Sequence, residues 1–289
     1  MRSTARTPRP LSPARSRRTP VRGAVVLVTG AASGIGALVA VQAAHRGARA
    51  VVLWDLDLPA AQDVATRVQA AGATCLAQRV DLRDVREVEA AGRVVLERLG
   101  RVDVLVNSAG VVTGRRFEDL SEEDVVRTFD VNVLALYRVV RCFLPGMRTR
   151  DRGCVVTIAS AAGLVGVARQ TDYSASKFAA VGFMESLRSE LRRSGSHVRT
   201  LVVAPYYVST GMFAGVRTRV PLLLPVLEPE RVASQVLDSV ERGDARRILP
   251  WFANAVLLVK ALPVPVADAV TDLFGISTTM DTFTGRSGH

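Results

Sequence analysis

Residues 25–36 read VVLVTGAASGIG. A short apolar, β-branched run gives way at Gly30 to small residues, and glycine returns at 34 and 36. The first part has the composition of a buried strand, while 34–46 carries a helix-length pattern ending near Gly47. The turn between them is built from residues with almost no side chain. It lets a strand pass directly into a helix and leaves the unpaired N–H groups of the helix terminus open to whatever lies above.

Outward from this turn the same alternation repeats. AVVLWD (50–55) reads as a strand and 59–71 as a helix ending at Gly72; CLAQRVD (75–81) is a strand and 84–99 a helix stopped by Gly100. VDVLVNSAG (102–110) is a fourth strand, 121–143 a long helical pattern closed by Pro145, CVVTIAS (154–160) a strand, 172–193 a helix, and VRTLVVAP (198–205) a strand. Six or more short apolar runs separated by helices imply βαβ units on a parallel sheet. Right-handed crossovers then give an α/β, single-domain, doubly wound fold of Rossmann type with helices on both faces. Composition agrees: 48% hydrophobic residues with only 5% aromatics suits a Val/Ala/Leu core around a buried sheet.

The net charge of +11 looks like a nucleic-acid signal until it is located. Residues 1–22 hold seven arginines, four prolines and no acid, so most of the excess lies there. That stretch reads as a disordered basic tail without an apolar core for a secretory signal. Its arginine richness resembles an organellar transit peptide, but the Arg-for-Lys and Ala/Val bias suits a bacterial cytoplasm, where an inert tail or a start nearer Val21 is expected. Three scattered cysteines fit a reduced compartment, and three scattered histidines suggest neither a metal site nor a Ser-His-Asp triad. The catalytic domain is expected over 23–275, with a lid at about 206–230 and a tail over 276–289.

At the nucleotide end, Gly30 permits the tight turn, Gly34 lets the backbone approach a pyrophosphate, and Gly36 lets helix and strand pack closely. Asp55 ends the second strand 19 residues after Gly36. A carboxylate there accepts from ribose hydroxyls and repels a 2′-phosphate, which favours NAD over NADP. Asp57 competes, but fits better as the N-cap of the helix beginning near Pro59. Position 33 is serine, so it offers no cation to a 2′-phosphate. Asp81 could accept from an adenine amino group or could simply cap a turn.

TGAASGIG (29–36), Asp81, NSAG (107–110), Asn132, Ser160 and YSASK (173–177) occur in one order over residues 23–210. In that combination the chain resembles the short-chain dehydrogenase/reductase family. The resemblance implies an NAD-linked oxidoreductase with a catalytic tetrad on Asn132, Ser160, Tyr173 and Lys177. It places cofactor contacts at Gly30, Ser33, Gly34, Ile35, Gly36, Asp55, Asp81, Leu82, Asn107, Ala109, Gly110, Tyr173, Lys177, Pro205, Val208 and Thr210. It also implies a homodimer or homotetramer through the helices holding Asn132 and Tyr173.

The residues themselves support such chemistry. Of 38 basic residues only Lys177 and Lys260 are lysines, and Lys177 stands one helical turn after Tyr173. Tyrosine has a pKa of about 10, too high for a base near neutrality. A cation ~4 Å away at an effective dielectric of ~20 is worth about 4 kcal/mol, enough to bring the tyrosine toward neutral pH. Tyr173 would then exchange the hydroxyl proton, Ser160 would hydrogen-bond the reacting oxygen, and Asn132 would hold a water linking Lys177 to solvent.

Two positions depart from the commonest family pattern: Ser108 in NSAG, where asparagine is usual, and Tyr206 in APYYVSTG (204–211), where glycine is usual. Tyr206, beside the nicotinamide, would shape the substrate pocket together with Ser160 and Tyr173. LWD, SKFAAVGFMESLRSEL, TGMF and LEPERVA look like the branch containing retinol dehydrogenases and type-11 17β-hydroxysteroid dehydrogenases. That likeness implies a lipophilic secondary or allylic alcohol or its carbonyl; small ketones or aldehydes are the enzymatic alternative. A non-catalytic nucleotide-sensing or nucleic-acid-binding protein is the alternative of another class, and no nucleic acid is expected. The apolar run VPLLLPVLEP (220–229) reads as a lid. Residues 248–267 are almost long enough to span a membrane but are interrupted by Asn254, Lys260, Pro263 and Pro265. A cavity-lining or subunit-contact helix is expected there, with weak membrane-surface attachment as the alternative.

Overall fold

The computed structural model describes residues 19–285. Seven parallel strands lie in the order β3-β2-β1-β4-β5-β6-β7: β1 Val25–Thr29, β2 Ala50–Asp55, β3 Thr74–Arg79, β4 Val104–Asn107, β5 Cys154–Ile158, β6 Arg199–Pro205 and β7 Arg246–Leu249. The chain winds one way from β1 to β3 and the other way from β4 to β7, so the order reverses between β1 and β4. The register pairs Thr29 with Asn107 at that reversal. Loops leaving β1 and β4 therefore diverge above the carboxyl ends of two adjacent strands, which is where such sheets bind ligands.

Alternation along the central strands supplies two cores. Val26, Val28, Val104 and Val106 face one layer, made by α1 (Gly34–His45), α2 (Leu58–Ala70) and α7 (Pro229–Arg242). Val25, Leu27, Leu105 and Val155 face the other, made by α3 (Val85–Leu99), α5 (Ala135–Thr149) and α6 (Thr171–Arg193). Each buried Val or Leu contributes about 1.5–3 kcal/mol, which is why nearly unbroken apolar strands are needed in the middle of this sheet.

Local differences from the sequence reading have physical causes. The third and fourth strands are shorter than expected, because pairing ends at Arg79 and Asn107 before the loops that carry polar groups upward. The pattern over 121–143 is not one helix. It divides into α4 (Glu122–Phe129), a π-helical turn (Asp130–Leu134) and α5, and Pro145 lies inside α5 instead of closing it. Proline in a helix costs about 3 kcal/mol. Phe143 and Met147, buried on either side of it, each recover a comparable amount by continuing the helix.

At the amino end, the part of the basic tail over residues 1–18 lies outside the described residues. Thr19 and Val21 are buried against the body, so the packed chain begins earlier than residue 23. At the other end, residues 276–285 of the segment read as a tail are packed, while 286–289 lie outside the described residues: Met280 is 0% exposed, and Thr284 N–H donates to the Ala214 carbonyl at 2.9 Å. Among the described residues no helix is long and apolar enough to cross a membrane. Residues 248–267 divide between the end of β7, a 3₁₀ turn (Trp251–Ala255), α8 (Val256–Val259) and the start of α9 (Val264–Leu273).

Candidate active site

The glycine turn is shaped by contacts that tolerate no side chain. Gly30 has φ +63°, and a Cβ there would lie 2.7 Å from the Ala109 Cα. A Cβ on Gly36 would lie 2.1 Å from the Gly30 carbonyl oxygen, so α1 can rest on the turn only if residue 36 is glycine. The Thr29 hydroxyl accepts from Ser108 N–H (3.1 Å) and Ala109 N–H (3.3 Å), joining the loops that leave β1 and β4. One Asp55 carboxylate oxygen accepts from Ala32 N–H at 2.9 Å inside the glycine turn, and the other from Asp57 N–H at 3.1 Å. Asp55 thus sets the turn as well as facing the groove. Asp57 caps α2 through Ala60 N–H at 3.0 Å, as its position suggested.

Above the turn lies a groove of about 480 Å³. The expected cofactor contacts Gly30, Ser33, Gly34, Ile35, Asp55, Asp81, Leu82, Ala109, Gly110, Tyr173, Lys177, Pro205, Val208 and Thr210 all line it. Gly36 and Asn107 do not. Gly36 lies behind the turn, and Asn107 is buried with its amide donating to the Val156 carbonyl at 3.2 Å, so both build the floor without touching the groove. Asp81 is engaged by Arg83, whose guanidinium donates to both carboxylate oxygens (3.0 and 2.7 Å among its bonds). That hydrogen bonding holds the Asp81 carboxyl below its ordinary value. Arg83, on the groove wall, went unnoticed in the sequence; its only signal is an arginine two residues after a strand-terminal aspartate.

Tyr173 and Lys177 lie on one face of α6 at its amino end, with the lysine Nζ 5.5 Å from the tyrosine ring centre. Both are buried, and Lys177 donates to the Ile158 carbonyl at 3.1 Å. Ser160 follows β5, accepts from Ala162 N–H at 3.1 Å and hydrogen-bonds the Tyr173 hydroxyl. A Cβ on Gly163 would lie 2.7 Å from the Lys177 carbonyl oxygen. The turn after Ser160 therefore presses directly on α6, and this contact sets the serine beside the tyrosine.

The electrostatics differ from the expectation that Lys177 lowers Tyr173. Burial pushes the Tyr173 hydroxyl well above its ordinary value, and the hydrogen bond with Ser160 only partly opposes it. Burial also lowers Lys177 to about 8, because a desolvated ammonium sheds its proton more easily. In the closed site desolvation outweighs the attraction that spacing alone predicted.

Asn132 sits in the π-helical turn, and its side chain is occupied. Its Oδ1 accepts from Val111 N–H (2.8 Å), and its Nδ2 donates to the Val111 carbonyl (2.9 Å) and the Ser176 hydroxyl (2.9 Å). The amide thus ties the loop after β4 to α6, one turn from the groove, which the sequence reading of a water-holding amide did not foresee. A second clamp was also missed. Buried Asp172 accepts from the Thr113 hydroxyl (3.0 Å) and the Thr128 hydroxyl (2.8 Å), fastening that loop and α4 to the start of α6.

On the far side of Ser160 is an apolar cavity of about 90 Å³, walled by Val165, Gln170, Tyr206, Tyr207, Phe213, Phe252, Val256 and Phe274 among others. Ser160 and Tyr206 line both this cavity and the groove. Phe213 packs edge-on against Tyr173 (5.7 Å between ring centres) and Tyr207 (5.1 Å). From the apolar run over 220–229, Leu224 is buried in the cavity wall while Leu222 is 96% exposed, so only part of the run covers the site. The segment 248–267 supplies cavity wall through Phe252, Ala253, Ala255, Val256 and Val259. Its other face leaves Trp251 82% and Leu258 76% exposed.

These features fit a dinucleotide. The turn has room only for glycines, helix-terminal N–H groups sit beneath the groove, a carboxylate lies at the end of β2, and a buried lysine stands at the far end. Comparison with known proteins agrees. The family model described as short chain dehydrogenase matches residues 24–221. The chain is 37% identical to mouse (Mus musculus) epidermal retinol dehydrogenase 2 over 93% of its own length and 88% of that protein. It is 34% identical to human (Homo sapiens) 17-beta-hydroxysteroid dehydrogenase 13, over 86% and 82% respectively. Among solved structures, a short chain dehydrogenase/reductase from Burkholderia phymatum in complex with NAD superposes with a TM-score of 0.76 at 28% identity, covering 84% of this chain and 95% of that one. A metagenomic short-chain oxidoreductase in complex with NADP gives a TM-score of 0.66 at 32% identity, covering 80% and 97%.

Proposed function

The chain belongs to the short-chain dehydrogenase/reductase family, and on that premise we propose that it interconverts a hydrophobic secondary or allylic alcohol and its carbonyl with NAD(H). That it is an oxidoreductase using a nicotinamide cofactor follows from the family and its solved members. One observation carries the finer reading. Ser160, Tyr173 and Lys177 converge where the dinucleotide groove meets an apolar cavity, so a reacting carbon in one would face a nicotinamide in the other.

When bound, the cofactor supplies a hydride acceptor or donor at its nicotinamide ring. The chain's own residues handle the proton and the geometry. In reduction neutral Tyr173, the form its burial favours, gives the proton; in oxidation its phenolate, which the positive charge of an oxidised nicotinamide would stabilise, takes the hydroxyl proton. Ser160 hydrogen-bonds the reacting oxygen. Lys177, compact and buried, holds the ribose hydroxyls and passes the proton outward. Asn132 acts through Val111 and Ser176, keeping the loop and α6 in register.

NAD is favoured because Asp55 places a carboxylate at the ribose end, position 33 is uncharged, and the nearby Arg83 is held by Asp81. An NADH-coupled screen over retinoids, hydroxysteroids and aliphatic and aryl secondary alcohols tests the whole reading. We expect NAD to exceed NADP by more than tenfold in kcat/KM. Asp55→Asn, which keeps an acceptor for Ala32 N–H, should narrow that ratio. Equal use of both cofactors by the wild type would remove Asp55 from this role.

A second reading, reduction of small ketones or aldehydes, is favoured by the cavity size. About 90 Å³ is well below the ~300 Å³ at the low end of small-molecule sites. A retinoid or steroid therefore requires the lid around Phe213 to open. For partners, we propose a homodimer or homotetramer through α4, the π-helical turn, α5 and α6, whose outer faces expose Val126, Leu134, Tyr137 and Phe178. For location, we propose a cytoplasmic protein that touches membrane surfaces weakly through Trp251 and Leu258. Light scattering in solution and flotation with anionic vesicles test these two proposals; a monomer, or flotation unchanged by Leu258→Glu, counts against them.

A further inference from the structure

A wall residue of the apolar cavity carries a buried polar atom that is without a partner among the described residues. Gln170 is the residue before α6, three positions ahead of Tyr173, and is 1% exposed. A chain of hydrogen bonds determines which way its amide points. The Thr279 hydroxyl donates to the Ile276 carbonyl at 2.9 Å, so toward Tyr207 it can only accept. The Tyr207 hydroxyl therefore gives its proton to Thr279 at 2.8 Å and can only accept from Gln170, whose Nε2 lies 3.3 Å away. The amide nitrogen is thereby committed to Tyr207. The amide oxygen is left without a donor among the described residues, and the buried Ser174 hydroxyl one turn on does not reach it.

A buried amide oxygen in apolar surroundings is costly to leave unpaired. Here it belongs to a residue in the wall of the cavity that Ser160 also lines. We propose that Gln170 Oε1 is a specificity-determining acceptor for a hydrogen-bond donor, a hydroxyl or N–H, carried by the substrate at a second position. The donor is not the reacting hydroxyl, whose proton goes to Tyr173 in the reading above, on which this inference rests. The substrate class is then a hydrophobic alcohol or ketone bearing one further donor, not a pure hydrocarbon alcohol. A site built to pair a polar group discriminates strongly against an analogue lacking it, because the protein group is then stranded.

The test uses the full chain with NAD and three pairs of probes: the ortho, meta and para isomers of 1-[(hydroxymethyl)phenyl]ethanol, each against its methyl ether at the hydroxymethyl position. For at least one spacing the wild type should favour the free hydroxyl by at least about tenfold in kcat/KM. In Gln170→Met that preference should fall to within about twofold of unity. Gln170→Leu replaces the methionine variant if the latter does not fold. A wild type indifferent at all three spacings, or a Gln170 variant that keeps the preference, overturns the proposal. If no probe is oxidised, the reaction assignment fails separately, and the same pairs are compared by thermal stabilisation of the NAD complex. A hydroxyl preference lost in the Gln170 variant still supports the acceptor; equal stabilisation by both members of every pair overturns it.

Discussion

The dinucleotide groove and the apolar cavity beside it are built on opposite plans. Between Val25 and Gly110 the groove is formed by chain segments whose shape is dictated by what they lack: side chains at Gly30, Gly34 and Gly36. The apolar cavity is formed by bulky residues drawn from places far apart in the chain. Val165 and Gln170 precede α6, Tyr206 and Phe213 follow β6, and Phe252, Val256 and Phe274 come from the end. A backbone-made surface admits one ligand framework, whereas a side-chain-made cavity can be refilled at little cost to the fold.

Substitutions break or sharpen this comparison in a graded way. Gly36→Ala should have the largest effect. Its methyl group meets a backbone oxygen at 2.1 Å, beyond what side-chain motion can relieve, so a loss above about 3 kcal/mol and no measurable NAD binding are expected. A folded, NAD-binding alanine variant would show that the groove is less rigid than its plan implies. Lys177→Arg should keep the fold but lower kcat by about 100-fold or more, roughly 2.7 kcal/mol, since the guanidinium is bulky and does not release a proton. Stopped-flow or steady-state NADH formation reads this directly, and near-normal turnover would reduce Lys177 to a charge.

On the substrate side, Met280→Ala removes a fully buried side chain from the segment that closes over Ala214. A loss of about 2–4 kcal/mol in denaturant unfolding is expected, with KM for bulky substrates changing more than KM for NAD. Equal changes in both would make the segment a general brace and not a cavity wall.

Lys177 also predicts a pH signature. Its folded value is about 8 against an ordinary 10.5. Below pH 8 both states hold the proton and the burial cost is constant. Between pH 8 and 10.5 the unfolded chain holds a proton that the folded chain has released, so this residue makes stability rise with pH. The stability of the wild type relative to Lys177→Met should improve by about 2 kcal/mol from pH 7 to pH 9.5; a flat difference would place the lysine in a wetter site. The smallest effect is reserved for Lys260→Arg. Lys260 lies 4.5 Å from the ring centre of Phe178 on the surface, a contact arginine also makes. A change within about 0.5 kcal/mol and unaltered turnover are expected, in contrast to the other lysine.

Much of the nucleotide half was legible because its signals are local. Glycine spacing, a strand-terminal Asp55 and an N-capping Asp57 each act within a few residues of themselves; Gly30, Gly34 and Asp55 line the groove, and Asp57 caps α2. Pro145 misled, because a proline's cost is local while the burial of Phe143 and Met147 that outweighs it is not. Asp81 was left between two readings, since nothing in a string of residues says that Arg83 folds back onto it.

By itself, the order of apolar runs and helical stretches determined a parallel doubly wound sheet, and the Tyr173–Lys177 spacing determined a shared helix face. Both follow from backbone periodicity, which a sequence carries explicitly. Only the tertiary structure decided the electrostatics of the site and which polar atoms of the cavity wall find partners. Burial from all sides reversed the expected direction for Tyr173, and the chain of donors from Gln170 through Tyr207 to Thr279 left one acceptor unpaired. Desolvation and hydrogen-bond satisfaction depend on every neighbour at once, including residues a hundred positions away, and no local pattern records them.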